Sequence, residues 1–232
     1  MRKKIGIIGG MGPLATVDLM NKIIQCTPAS KDQDHLHVIA DNYPQIPDRT
    51  AAILGNGEDP LPFMQQSAKR LEAAGVDLIA IACNTAHYFW KGIQTAVSVP
   101  ILHMPKETVA FIHHSGCKQV ALFATDGTIA TNLYQDELLK YGIQIKLPDK
   151  LTQAKIMEAI YSIKGGDLSK GKTLIMQAAQ TMQENGTDAI IAACTEIPLV
   201  LSDKDGMNVI DPSQILAKTI VEVSLGNRVL HY

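Results

Sequence analysis

Short apolar runs alternate with longer stretches of helical periodicity along the whole chain. Ile5–Ile8, Leu36–Asp41, Leu78–Ala82, Ile101–His103, Val120–Ala124, Gln144–Leu147, Ala189–Ala193 and Val209–Ile210 read as strands. Between them, Leu19, Ile23 and Cys26 share one helical face, and Ile156, Met157, Ile160 and Ile163 share another. Pro212–Leu225 reads as a final helix. Strands that are apolar at consecutive positions are buried on both faces. Their alternation with helices therefore predicts an α/β fold of parallel sheets flanked by helices.

The pattern repeats. Gly75-Val-Asp77-Leu-Ile79-Ala-Ile-Ala82-Cys83 aligns with Gly186-Thr-Asp188-Ala-Ile190-Ile-Ala-Ala193-Cys194, identical at five of nine positions. Each block is followed by a further short strand, and each half opens on a strand running into a glycine-containing turn, Ile5–Gly12 and Val120–Gly127. The expected architecture is two similar domains related by a pseudo-twofold, with the active site in the cleft between them. The expected division is 1–104 plus 212–232 for the N-terminal domain and 105–211 for the C-terminal one, the last helix packing back on the first domain.

Composition removes several function classes. The net charge is −2 and no block of like charge occurs, so neither nucleic acid nor an anionic membrane is an expected partner. The apolar run Ile5–Ile8 is cut short by Gly9, Gly10 and Gly12, too soon for a signal peptide, and no stretch is long enough to span a bilayer. A cytoplasmic protein is expected. Cys26, Cys83, Cys117 and Cys194 show no CxxC or Cys/His cluster, so free thiols are expected and no metal.

Two of those thiols stand out. Cys83 and Cys194 each follow a strand directly, where ligands of open α/β sheets bind. Asn84-Thr85 and Thr195-Glu196 come next, and helix starts there would favour a thiolate. Inverting a stereocentre requires one group to take a proton from one face of a carbon and another to deliver one to the opposite face. A facing thiolate and thiol suit that task. Cys26, on an apolar helical stripe, and Cys117, beside Gly116, read as structural, as do Asp77 and Asp188 at the far ends of their strands. His87, one turn past Cys83, either tunes that thiol or packs a helix.

Gly9-Gly-Met-Gly-Pro13, Pro44-Gln-Ile-Pro-Asp-Arg-Thr50, Cys83-Asn-Thr-Ala-His87 and Cys194-Thr-Glu196, in this order across the chain, resemble the aspartate/glutamate racemase family. Cys-Thr-Glu, where glutamate racemases usually carry Cys-Thr-His, resembles the aspartate branch. The resemblance implies a homodimer, no cofactor, no pyridoxal phosphate or metal, and two-base catalysis by Cys83 and Cys194 on a small dicarboxylic amino acid. It favours Arg49 as the grip on the side-chain carboxylate, through two parallel hydrogen bonds, over a solvated first-turn residue of a helix capped by Asp48. Lys164 either closes over the substrate, as a lysine of this region does in related aspartate racemases, or complements a helix C-terminus. Met11, Asn84, Thr85, Thr125, Thr128 and Thr195 are the remaining substrate-binding candidates.

Other readings stay open here. Gly10-Met-Gly-Pro-Leu-Ala15 fits the dinucleotide fingerprint of an NAD-dependent oxidoreductase, with Asp41 as the ribose-binding acid. That acid lies 26 residues past Ala15, beyond the usual spacing of about 20. A racemase for both aspartate and glutamate, or a non-catalytic dicarboxylate-binding protein, would keep Arg49. Hydantoin racemase, maleate isomerase and arylmalonate decarboxylase also use strand-end cysteines, typically without this Pro-Asp-Arg-Thr loop.

Overall fold

The computed structural model describes residues 2–230. It contains two parallel sheets. The first has strand order β2-β1-β3, from β1 (Ile5–Gly9), β2 (Val38–Asn42) and β3 (Leu78–Ile81). The second runs β5-β4-β6-β7, from β4 (Gln119–Ala124), β5 (Gln144–Lys146), β6 (Ala189–Ala193) and β7 (Val209–Ile210). In each sheet the opening strand is central and pairs with the next two strands in parallel. Ile101, expected within a strand, makes only a single parallel bridge to Ile79, in the place where β7 pairs with β6. Just beyond it His103 caps a helix, its Nδ1 accepting from the Lys106 N–H, and this ends any extension of the strand.

The helices are α1 (Pro13–Cys26), α2 (Arg49–Ile53), α3 (Leu61–Ala73), α4 (Trp90–Gln94), α5 (Met104–Ser115), α6 (Asp126–Ala130), α7 (Gln135–Leu139), α8 (Lys150–Lys164), α9 (Leu168–Glu184) and α10 (Pro212–Ser224). Side-chain caps fix several starts: Asp48, Thr125, Asp149, Asp167 and Asp211 each accept a backbone N–H from the first turn. These caps set where α2 and α6 begin, and both helices border the site.

The two-residue period of the strands divides each sheet into two buried faces. Leu78, Ala80 and Ala82 face Leu19 and Ile23 of α1 and Leu216, Ile220 and Val221 of α10. Ile79, Ile81 and Cys83 face Met64, Ala68 and Leu71 of α3. In the second sheet Ile190, Ala192 and Cys194 share a face with α8 and α9, while Ala189, Ile191 and Ala193 face α5 and α7. Each thiol thus extends an apolar row one step past the strand end. Asp77 and Asp188 are structural and equivalent: their carboxylates accept the Lys4 N–H, and the Lys118 and Gln119 N–H groups, at the starts of the two central strands.

Glycine permits the first turn. Gly10 has φ +88°, and a Cβ there would lie 2.3 Å from the Tyr43 carbonyl carbon. At the equivalent turn of the second half, a Cβ on Gly127 would lie 3.0 Å from Thr50 Cα. These close approaches bring the loop after β2 against both strand ends.

Candidate active site

Met11, Arg49, Asn84, Thr85, Thr125, Lys164, Thr195, Cys83 and Cys194 line one cavity of about 260 Å³, joined by Asp48, Thr50 and Glu196. A wider groove, about 1050 Å³, runs between α9 and Pro198–Ser202, but neither thiol opens on it. Thr128 stands one step behind the cavity wall, fully buried and hydrogen bonded to Thr85 and Thr125 at 2.9 and 3.1 Å. With the Thr85–Thr125 contact at 2.9 Å, three hydroxyls close a ring across the two halves of the chain.

Arg49 is the first residue of α2, with Asp48 as its cap, yet it is buried. Backbone carbonyls hold its guanidinium: Nη1 donates to Ile46 and Pro47, and Nη2 donates to Met11. Nε is buried without a partner. Nη2 keeps one N–H beyond that given to Met11, so Nε and Nη2 together retain the two donors that a carboxylate accepts bidentately. Met11 serves through its carbonyl while its side chain fills the core.

Asn84 presents a second unpaired donor. Its Oδ1 accepts from Tyr134 Oη, which fixes the amide orientation, and its buried Nδ2 has no partner. Burial keeps the Tyr134 phenol protonated far above its ordinary range, so it remains a donor at working pH. Lys164, the last residue of α8, sits at the mouth with its ammonium 5.3 Å from the Tyr161 ring centroid. Burial opposes its charge, but the acidic groups beside it, the Glu196 carboxylate among them, raise its pKa on balance.

Cys194 corrects the expected thiolate preference. Its Sγ donates to Glu196 Oε2 at 3.0 Å. Burial, and next the Glu196 charge, push the thiol well above its ordinary value, though Lys164 pulls the other way. The segments after both thiols are 3₁₀ turns, Thr85–Phe89 and Ile197–Leu199, and not α-helices whose dipole would oppose this. Glu196 carries a motif position in the sequence but no site role there. Its signal was its position two residues after a strand-end cysteine, where Thr85 stands in the other half.

His87 packs structurally. One ring nitrogen bonds the Cys83 and Asn84 carbonyls, and the other accepts from the Met104 N–H. Burial holds its pKa down to about 4 against an ordinary 6.5. The unfolded chain therefore binds a proton that the native state refuses, and stability present above pH 6.5 is lost as pH falls toward 4. His87→Gln should flatten that pH dependence by roughly one proton, about 1.4 kcal/mol per pH unit, in urea titrations at pH 6.5, 5.5 and 4.5. Equal slopes for the two proteins would contradict this role.

The glycine turn is filled from within. The Gly10 N–H donates to Thr16 Oγ1 at 2.9 Å and the Gly12 N–H to Glu196 Oε1 at 3.2 Å. Asp41, the ribose-binding acid of the dinucleotide reading, pairs with Arg70 at 2.6 Å. These groups serve the fold and the thiol site, and not a pyrophosphate cradle.

The family description of the Asp/Glu/hydantoin racemases matches residues 8–220. The chain belongs to this family. Racemases are isomerases, and this is a racemase-family enzyme. A broad specificity amino-acid racemase from Bacillus subtilis is 34% identical over 228 residues, 95% of this chain and 98% of that protein. The structure of Picrophilus torridus aspartate racemase superposes with a TM-score of 0.89 at 36% identity, covering 95% of this chain and 94% of that one. An aspartate racemase homologue from Pyrococcus horikoshii gives 0.76 at 26% identity, covering 96% and 99%. The α/β fold of helix-flanked parallel sheets expected for a racemase of this family is the one observed. No helix among the described residues is long and apolar enough to cross a membrane.

Proposed function

We propose that this racemase interconverts L- and D-aspartate by direct proton transfer at Cα, with Cys83 and Cys194 as the two acid/base groups and no cofactor. One observation carries the reading: both strand-end thiols line the same small cavity, together with two cationic side chains. A thiolate would take the Cα proton as an S–H bond forms. The electron pair would pass into the α-carboxylate, and the opposite thiol would return a proton to the other face. The unpaired Asn84 Nδ2 would stabilise the charge that develops there, and the Arg49 guanidinium would take the side-chain carboxylate.

A broader specificity is the second reading, favoured by the Bacillus relative. Aspartate and glutamate differ by one methylene, a discrimination of about 1–3 kcal/mol in a pocket. NMR of Cα–H exchange in D2O, on dialysed protein with both enantiomers of aspartate, glutamate and alanine, tests the proposal. Aspartate should exchange fastest, without added pyridoxal phosphate. Equal rates for alanine would establish the broad reading, and dicarboxylate binding without any exchange would leave a non-catalytic binding protein.

The homodimer and the division into 1–104 plus 212–232 and 105–211 are proposed on the same footing. α10 packs in the core of the first sheet, which supports the discontinuous domain, and Leu14, Val17 and Ile24 leave an exposed apolar stripe on α1. Met1 and residues 231–232, at the ends of that division, lie outside the described residues. A cytoplasmic location is proposed from the free thiols.

A further inference from the structure

The two halves place different chemistry at equivalent positions. Two residues past Cys83 stands Thr85, whose hydroxyl is taken up in the ring with Thr125 and Thr128. Two residues past Cys194 stands Glu196, a carboxylate only 3% exposed. Three donors converge on it: the Cys194 S–H and the Thr195 O–H on Oε2, at 3.0 and 3.3 Å, and the Gly12 N–H on Oε1 at 3.2 Å. Gly12 is part of this arrangement, since a Cβ there would lie 3.2 Å from the same Oε1.

An ionised carboxylate only accepts hydrogen bonds. While Cys194 is a thiol it supplies the proton that Glu196 Oε2 accepts. Were it a thiolate, two anions would face each other at contact distance out of water, where their repulsion is poorly screened. We propose that Glu196 makes the two thiols unequal: it holds the proton on Cys194 in the resting protein, so that Cys83 is the group that opens the reaction as base. Glu196 acts through Cys194 and is a positioning residue. The enantiomer that fits the resting protein directly is the one presenting its Cα–H to Cys83. The other enantiomer must bind the form with the proton moved across. Racemisation has an equilibrium constant of one, so kcat/KM stays equal for the two enantiomers. The asymmetry is written in the ionisation of the thiols.

This inference rests on the two-thiol reading of the site, but its test reads ionisation and not turnover, so the two can fail separately. The intact protein is treated with iodoacetamide across a pH series, and alkylation at each cysteine is followed by peptide mass spectrometry. In the wild-type protein Cys83 should react at lower pH than Cys194. Glu196→Gln replaces the anion with a neutral amide, and should make Cys194 react about tenfold faster at a given pH, its profile moving down by one unit, while Cys83 keeps its own. A merely structural Glu196 would predict no such local gain. An unmoved Cys194 profile, or one that moves together with that of Cys83, would overturn the proposal. Should the variant not fold, the wild-type order decides: Cys194 reacting at the same pH as Cys83, or lower, overturns it. Retained Cα–H exchange in that event would leave the racemase reading standing.

Discussion

Alanine at either Cys83 or Cys194 should lower kcat for aspartate racemisation by about 10²–10⁴-fold, the usual contribution of a positioned acid or base. The two variants should fail in complementary ways. With Cys194 removed, Cys83 can still take the proton that faces it and return a deuteron to the same face. In D2O that variant exchanges one enantiomer without inverting it. Cys83→Ala should exchange only the opposite enantiomer. Both thiols are buried at the ends of apolar rows, so each substitution leaves a small cavity and modestly lowers the thermal midpoint. A stability loss alone, however, would slow exchange of both enantiomers equally. The proposed mechanism is wrong if both variants racemise at the wild-type rate, or if both retain exchange of the same enantiomer.

The convergence of the two thiols on one cavity was legible in the chain because it rests on period-two burial. Ile79-Ala-Ile81-Ala-Cys83 and Ile190-Ile-Ala192-Ala-Cys194 state where each strand ends and which face the next side chain takes. Glycine, aspartate and cysteine at matched positions stated the repeat, and like strand orders in the two sheets follow from it. Ile101–His103 was less legible. A three-residue apolar stretch cannot say whether the chain continues as a strand or turns into a helix, and the His103 cap turned it. Most of what sequence periodicity missed is polar and long-range. Tyr134 reaches Asn84 across 50 residues, and the Glu196 carboxylate reaches Gly12 across 184. No local pattern encodes such pairs. The acid strength of Cys194 was read from helix dipoles, whereas the structure sets it by burial and an adjacent carboxylate, which are properties of the folded neighbourhood.

Arg49→Ala should lower kcat/KM for aspartate by about 10²–10⁴-fold while weakening any activity on alanine far less. The figure follows from two spare donors on Nε and Nη2: hydrogen bonds to a charged group are worth about 1.5–3 kcal/mol each, and every 1.4 kcal/mol is tenfold. The substitution also orphans the Ile46, Pro47 and Met11 carbonyls that now accept from the guanidinium, so loop disorder must be separated from lost recognition. Arg49→Lys serves this purpose. It keeps a positive charge and can satisfy part of the carbonyl set, but it has no planar fork. If recognition is bidentate, the lysine variant should recover much of the thermal stability and little of the preference for dicarboxylates. If Arg49 only props the loop, stability and activity should return together. Binding of a dicarboxylate lacking the amino group, compared with its monocarboxylate analogue, reads the same contrast without turnover. The wild-type protein should prefer the dicarboxylate strongly, and both variants should bind the pair nearly equally. An unchanged preference for aspartate over alanine in Arg49→Ala would take this guanidinium out of the site and pass its role to Lys164, the other cation at the cavity.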